Sequence, residues 1–256
     1  MQGSPELPPP PPMQPRSVAD ILETAFDLYR RHWVTLVQIV AYLIVPLTLL
    51  QYLIGDLLEG EDEGSGVIAG SLLLVFASVF IGLLLTGAIA WAVARILIGR
   101  EPDISDCYRN GYRRIWSILL VAVLSALAIG AGFILFVIPG FIVLTRLSVA
   151  IPAVVIEQRK GTDALGRSWN LVKGYGWPVF GALIVSWLIA GIVNGILTAI
   201  GGDNWFVSGI FAAIGSIITT PFTALVVGLI YFDLRVRKEN LDVATLEREV
   251  QAAAAP

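Results

Sequence analysis

Few residues in this 256-residue chain are of types that perform chemistry, and their spacing removes most of the chemistry open to them. One histidine, His32, and one cysteine, Cys107, leave no His/Cys cluster for a zinc or iron site and no intramolecular disulfide. His32 adjoins Trp33 with no partner at catalytic spacing and reads as a headgroup-level or solvated histidine, and Cys107 reads as a small apolar residue. The chain has no Gly-rich phosphate loop, no nucleophile elbow and no HExxH pair, so neither an enzyme nor a bound cofactor is expected. What remains is Arg146, the one charge well inside a long apolar stretch and not in its last turn. Neighbours such as Phe141, Ile142, Leu144, Leu147 and Ile151 favour insertion into a bilayer by roughly 3 to 6 kcal/mol, and a central arginine opposes it by about 3. Two readings stay open. Arg146 lies about 9 Å of helical rise beyond Gly140, within partial reach of the outer headgroups, and can snorkel or bond structurally. Alternatively it contacts an anionic lipid or solute.

The elements that must position this arginine follow from composition. The chain is 56% hydrophobic and 14% charged, with a mean hydropathy of +0.79, whereas an ordinary soluble domain carries about 25% charged residues. Lipid is therefore the expected solvent for most of it, and a water-soluble globular enzyme is excluded. Six stretches, 33–54, 67–98, 115–138, 140–156, 177–200 and 205–232, are apolar and long enough to approach the roughly 20 residues that a crossing needs. The fourth is short and follows the third through Pro139-Gly140, which predicts a tight hairpin, with a re-entrant fourth stretch as the alternative. No signal peptide is expected, and residues 1–16, with a proline run at 8–12, read as a disordered tether. No Asp or Glu falls in the apolar core of a span, which disfavours a proton or cation relay. Gln38, Gln51, Asn194, Thr219 and Thr220 read as cross-helix hydrogen-bonding groups. Pro46, Pro152 and Pro221 read as bends.

Charge placement sets the orientation. Every Lys and Arg except Arg146 falls before the first span, around the connection between the second and third (Arg95, at the end of the second, included), between the fourth and fifth, or after the sixth. The opposite connections carry Asp56, Glu59, Glu61, Asp62, Glu63 and Asp203 and no basic residue. The positive-inside rule then predicts a multi-pass protein of a bacterial cytoplasmic membrane with both termini in the cytoplasm.

A weak threefold repeat runs through the basic segments. Tyr29-Arg30-Arg31-His32-Trp33 reappears as Tyr112-Arg113-Arg114-Ile115-Trp116, with Lys173-Gly174-Tyr175-Gly176-Trp177 as a looser third copy. Each copy ends an amphipathic stretch: Val18, Ile21, Leu22, Ala25 and Tyr29 in the first, Ile104, Cys107, Tyr108 and Ile115 in the second, Leu165, Trp169, Val172 and Gly176 in the third. These predict three interfacial helices, each introducing a helical hairpin, with Arg30, Arg31, Arg113, Arg114, Arg167 and Lys173 contacting anionic lipid at the inner leaflet. Small residues every fourth position, such as Ser78, Gly82, Thr86, Ala90 and Ala94 or Ala212, Ser216, Thr220, Ala224 and Gly228, predict helix-helix seams. Ala122, Ala126 and Gly130, and the pair Gly191 and Gly195, predict shorter ones.

Val137-Ile138-Pro139-Gly140, then Arg146, Pro152 and Glu157, then Arg167-Ser168-Trp169, and finally Tyr231-Phe232-Asp233-Leu234-Arg235-Val236-Arg237-Lys238-Glu239 together resemble the glycerophosphoryl diester phosphodiesterase membrane-domain-like proteins of bacteria. The resemblance covers about residues 17–246. It implies a polytopic plasma-membrane protein of largely uncharacterised role. Some members of that family join such a region to a soluble phosphodiesterase domain, which has no counterpart in this sequence, so no catalytic residue carries over. Asn240 stands where a glycine is expected after the Lys-Glu pair.

The sequence thus predicts an all-α, six-span membrane domain over 17–238 between two cytoplasmic tails, 1–16 and 239–256. Its expected role is a non-enzymatic interaction or organising module, with a binder or carrier of an anionic lipid or small anion through Arg146 as the alternative. The expected partners are anionic membrane lipids and an unidentified membrane protein. Nucleic acid is not among them, because basic clusters beside apolar spans meet headgroups first.

Overall fold

The computed structural model describes residues 14–58, 65–202 and 205–254, with side chains at 52–69, 71 and 203–206 outside that description. The acidic connection 55–66, Asp203 and most of the proline-rich tail therefore lie outside the described side chains.

Among the described residues the chain is all-helical. The helices are α1 (Val18–Leu58), α2 (Ser65–Leu97), α3 (Ile104–Arg113), α4 (Ile115–Leu135), α5 (Val137–Leu147), α6 (Ala150–Ile156), α7 (Thr162–Val172), α8 (Gly176–Gly201), α9 (Trp205–Glu239) and α10 (Val243–Ala254). Six runs, Val18–Gln51, Leu72–Leu97, Ile115–Leu135, Val137–Ile156, Gly176–Gly201 and Val207–Glu239, are long and apolar enough to cross a membrane, with hydropathies from 1.9 to 2.7. At about 1.5 Å per residue even 20 residues reach about 30 Å. Their outward faces are apolar: Leu73, Phe76, Ile134, Ile138, Ile192, Ile196 and Ile200 are exposed. Such a surface is stable only where water is absent.

The three sequence repeats end in the same backbone event. His32 breaks α1 at φ −114, ψ 20, Arg114 separates α3 from α4 at φ −111, ψ 8, and Tyr175 precedes α8 at φ −120, ψ 21. Each departs from helical φ by some tens of degrees, enough to re-aim the chain without a loop. Trp33, Trp116 and Trp177 follow within two residues, and all are exposed. The apolar faces of the preceding segments turn inward. Ile21 and Ala25, Cys107, and Val172 are buried in the shared core.

The core is concentrated at the basic end. Trp91, Tyr231, Phe232, Ile89, Leu97 and Leu225 are fully buried there, where α2 and α9 meet within a collar of α3, α6, α7 and α10. Toward the opposite end, Gly82, Gly130, Gly191 and Gly195 have no neighbouring atom within 4 Å of an added Cβ. The four-residue stripes therefore become seams only in part. Ala90 and Ala94 are buried and Gly228 lies against Val93, but a Cβ added at Gly191 or Gly195 would meet no atom of the described residues within 4 Å. On α9 the close approach to α8 is shifted by one helical position from the expected stripe. Gly215 faces Asn194, whose Nδ2 donates to Thr219 Oγ1 at 3.0 Å.

The turn between the third and fourth apolar stretches also differs from expectation. It falls at Phe136 (φ −164, ψ 156), three residues before Pro139. Pro139 then occupies the first turn of α5, where its missing N–H costs nothing. Gly140 packs against Gly132 of α4, at which a Cβ would come within 3.0 Å of the Gly140 Cα. The fourth stretch itself is two helices. It breaks at Ser148 and Val149, leaving α5 only 11 residues long, about 16 Å, while every residue of α6 except Ile151 is buried.

The segment after 239 is structured as well. α10 inserts Leu246, Val250 and Ala253 against α2 and α6, following a turn at Asn240 that has φ +53. Asparagine tolerates that left-handed conformation better than most residues, so the glycine expected there is dispensable.

Candidate functional site

Two arrangements at the basic end bring charged side chains together, and the C-terminal turns of α9 serve both. Residues four apart on a helix share a face, so Tyr231, Arg235 and Glu239 form one row and Asp233 and Arg237 another.

The first row builds an ion-pair latch. Glu157, at the end of α6, accepts from the Tyr231 hydroxyl at 2.6 Å and from Arg167 Nε at 2.9 Å. Arg167 reaches on to Glu239, with Nη2 to Oε2 at 2.8 Å. Arg235 Nε donates to Glu239 Oε2 at 3.0 Å, and its two terminal nitrogens form a fork onto Glu249 of α10 at 2.6 and 2.8 Å. Arg235 is 4% exposed, so a guanidinium without these carboxylates would carry a large desolvation penalty. The Glu239 and Glu157 carboxylates hold the Arg167 guanidinium still more firmly protonated than usual, against the opposing effect of burial. Four helices, α6, α7, α9 and α10, are tied at one point.

The second row clamps the chain where it enters α1. Asp233 Oδ1 accepts from the Arg16 backbone N–H at 2.6 Å, and Arg237 joins Asp233 Oδ2 at 2.7 Å to the Arg16 carbonyl oxygen at 2.6 Å. Arg237 also stacks over the Tyr175 ring at 5.3 Å.

Beside the latch lies the candidate binding site, a lateral groove of about 590 Å³ between α5 and α8. Ile138, Phe141 and Ile142 form one wall and Trp177, Pro178 and Phe180 the other, with Thr145, Arg146, Gly174 and Gly176 completing it. Phe141 meets Phe180 edge-to-face at 5.6 Å, which fixes the spacing of the two walls. Arg146 stacks over Trp169 at 5.2 Å and donates from Nη1 to the Trp169 carbonyl at 3.3 Å, while Ser168 Oγ donates to the Arg146 carbonyl at 2.7 Å. Lys238 donates to the carbonyls of Asn170 and Lys173, the latter at 2.7 Å. Two cations thus meet the C-terminal carbonyls of α7, where the helix dipole favours positive charge.

Arg146 consequently meets the C-terminal carbonyls of α7, and the break at Ser148 and Val149 separates the helix that carries it, α5, from α6. Chemically the groove offers an apolar trough with a guanidinium at one end, the shape of an acyl chain joined to an anionic headgroup.

The remaining basic residues divide. Arg167, expected as a lipid contact, is instead paired with Glu157 and Glu239, with its side chain 18% exposed. Arg114 is directed inward too, with Nη2 to the Ala253 carbonyl at 2.8 Å and Nη1 to Asn110 Oδ1 at 3.2 Å. Burial and the neighbouring Arg113 charge push its pKa down. Arg30, Arg31, Arg113 and Lys173 are exposed, with Arg31 paired to Asp27 at 2.7 Å. His32 is half-buried at the first bend, and Cys107 is fully buried. Among the described residues no group of His, Cys, Asp and Glu is arranged to hold a metal ion.

The latch was present in the sequence as Glu157 and the Tyr231–Glu239 motif, where the four-residue spacing of Tyr231, Arg235 and Glu239 was its only signal. Glu249 carried none, because nothing local marks the partner of a distant arginine. In comparisons with known proteins, the chain matches no family model, no curated protein and no solved structure.

Proposed function

We propose that this chain is a non-enzymatic, multi-pass protein of a bacterial cytoplasmic membrane that organises its surroundings by binding an anionic phospholipid laterally in the α5–α8 groove. The observation that carries this reading is that Arg146 lines an apolar groove open on the flank of the bundle. Acyl chains fill such a trough without desolvation cost, and a phosphate meets the guanidinium through charge-assisted hydrogen bonds. Trp177, which is 84% exposed, suits the headgroup level beside it.

In this reading both termini are cytoplasmic and the exposed Arg30, Arg31, Arg113 and Lys173 face the anionic inner leaflet. The Trp33, Trp116 and Trp177 bends then mark one interfacial plane, from which three helical hairpins rise. The resemblance to the phosphodiesterase membrane-domain-like proteins rests on the same C-terminal motif that forms the latch, and is proposed as kinship in architecture. A lateral groove suits a binder better than a carrier, since the site opens to lipid along the side of the bundle.

The test is retention of lipid by purified protein. Wild type should retain phosphatidylglycerol over phosphatidylcholine, R146K should retain part of that preference, and R146L should lose it at normal abundance. Equal preference in R146L and wild type would remove the proposal.

A further inference from the structure

A second cationic feature lies between the start of α4 and the α6–α7 connection, and the groove reading makes no use of it. Arg113 and Arg114 at the α3–α4 bend, Ser117 in the first turn of α4, and Gln158, Arg159 and Lys160 in the connection from α6 to α7 line a separate cleft of about 180 Å³. Four cationic side chains share this small volume, and among the described residues no carboxylate lines it.

The acid nearest in sequence, Glu157, does not fill that role. It receives Arg159 Nε at 3.3 Å, but its oxygens already accept from Arg167 and Tyr231, and it lines the adjoining cleft with Glu249. Four like charges this close repel one another, and the arrangement is held by unrelated contacts. Arg114 is fixed by Asn110 and the end of α10, and the 158–160 loop is folded back toward α4 by left-handed Gln158 (φ +57) and by Gly161 (φ +52), which sits against Leu120. Arg114 is therefore held in place, and the loop backbone brings Arg159 and Lys160 to the same cleft. The Ser117 hydroxyl adds a neutral donor.

We propose that this cleft binds a phosphate group. Guanidinium forks match the tetrahedral oxygens, an ammonium supplies a further point charge, and the partial positive charge of the α4 start has the same sign. The phosphate comes either from a phosphomonoester headgroup at the membrane surface or from a soluble phosphate compound, and both offer the same oxygens. The site is independent of the Arg146 groove, which shares none of these residues.

The experiment uses the full chain in nanodiscs of phosphatidylcholine, and reads thermal unfolding as inorganic phosphate is titrated at constant ionic strength. Wild type should be stabilised saturably, and R159Q and K160Q should each bind phosphate roughly tenfold or more weakly, with K160R close to wild type. If inorganic phosphate has no effect but nanodiscs containing phosphatidic acid stabilise wild type and not R159Q or K160Q, the site stands and its source is a lipid headgroup. Both variants lie on an exposed loop, and circular dichroism with size exclusion reports whether each is folded. Absence of stabilisation by either source, or equal stabilisation of wild type and folded R159Q and K160Q, overturns the proposal.

Discussion

Tyr231 donates its hydroxyl hydrogen to Glu157 Oε1 at 2.6 Å, joining the last turns of α9 to the end of α6 across 74 residues of sequence. The phenol is fully buried, and Glu157 also holds Arg167, so this bond sits at the hinge of the whole latch. Removing a hydrogen bond to a buried charged acceptor costs about 1.5 to 3 kcal/mol. Tyr231→Phe should lower thermal stability in detergent by that order while retaining the fold. A midpoint unchanged from wild type would show that the bond contributes nothing.

The docking of α10 depends on the Arg235–Glu249 fork and on Leu246 and Val250 beneath it. Glu249→Ala leaves Arg235 buried with one carboxylate fewer, a change of about 3 kcal/mol or more by comparison with other broken buried pairs. Limited proteolysis should then cut within 240–254 at protease levels that leave wild type intact. Equal resistance in the variant would refute the latch.

The α4–α5 crossing predicts a contrast between two glycines. A Cβ at Gly132 meets backbone, with the Gly140 Cα at 3.0 Å, whereas a Cβ at Gly195 meets nothing within 4 Å. Gly132→Ala should destabilise by about 1 to 3 kcal/mol through overpacking, and Gly195→Ala should leave the unfolding midpoint of the monomer where it is.

Cys107 lies on the buried face of α3, and burial pushes its thiol up to about 12. The thiolate is the reactive form, so maleimide should fail to label the folded protein at pH 7 to 8 and should label it fully after denaturation. Partial labelling without denaturant would mean that α3 opens.

Asp103 caps α3, accepting from the Ser105 hydroxyl and from the Asp106 N–H at 2.9 Å, and these bonds draw its pKa below the usual carboxylate value. A depressed folded-state pKa stabilises at pH above the unfolded value and loses that contribution as pH falls through the folded one. Amide exchange at the start of α3 should therefore accelerate below about pH 4 relative to its intrinsic rate, and Asp103→Asn should flatten that dependence.

Some of the architecture was legible because it follows from one-dimensional quantities. Lipid as solvent, six apolar runs and the bends before Trp33, Trp116 and Trp177 are set by composition, by run length and by a repeated local pattern, none of which needs a distant partner. The turn between α4 and α5 lies three residues before Pro139, because Pro139 is as compatible with a helix's first turn as with a loop, and the Gly132–Gly140 contact makes the choice. The sequence singles out Arg146 as an anomaly and leaves open whether it snorkels, bonds structurally or meets an anion, and the structure adds its bond to the Trp169 carbonyl.

Local periodicity determined that the chain is helical and which stretches avoid water, since each residue's preference for lipid is additive along a run. Only tertiary structure decided that Arg167 and Arg114 face inward, that Glu249 completes the latch, and that Arg146 and Arg159 serve separate clefts. A charge is cheap at a membrane surface and costly when enclosed, and which of those conditions applies is set by residues tens to more than a hundred positions away.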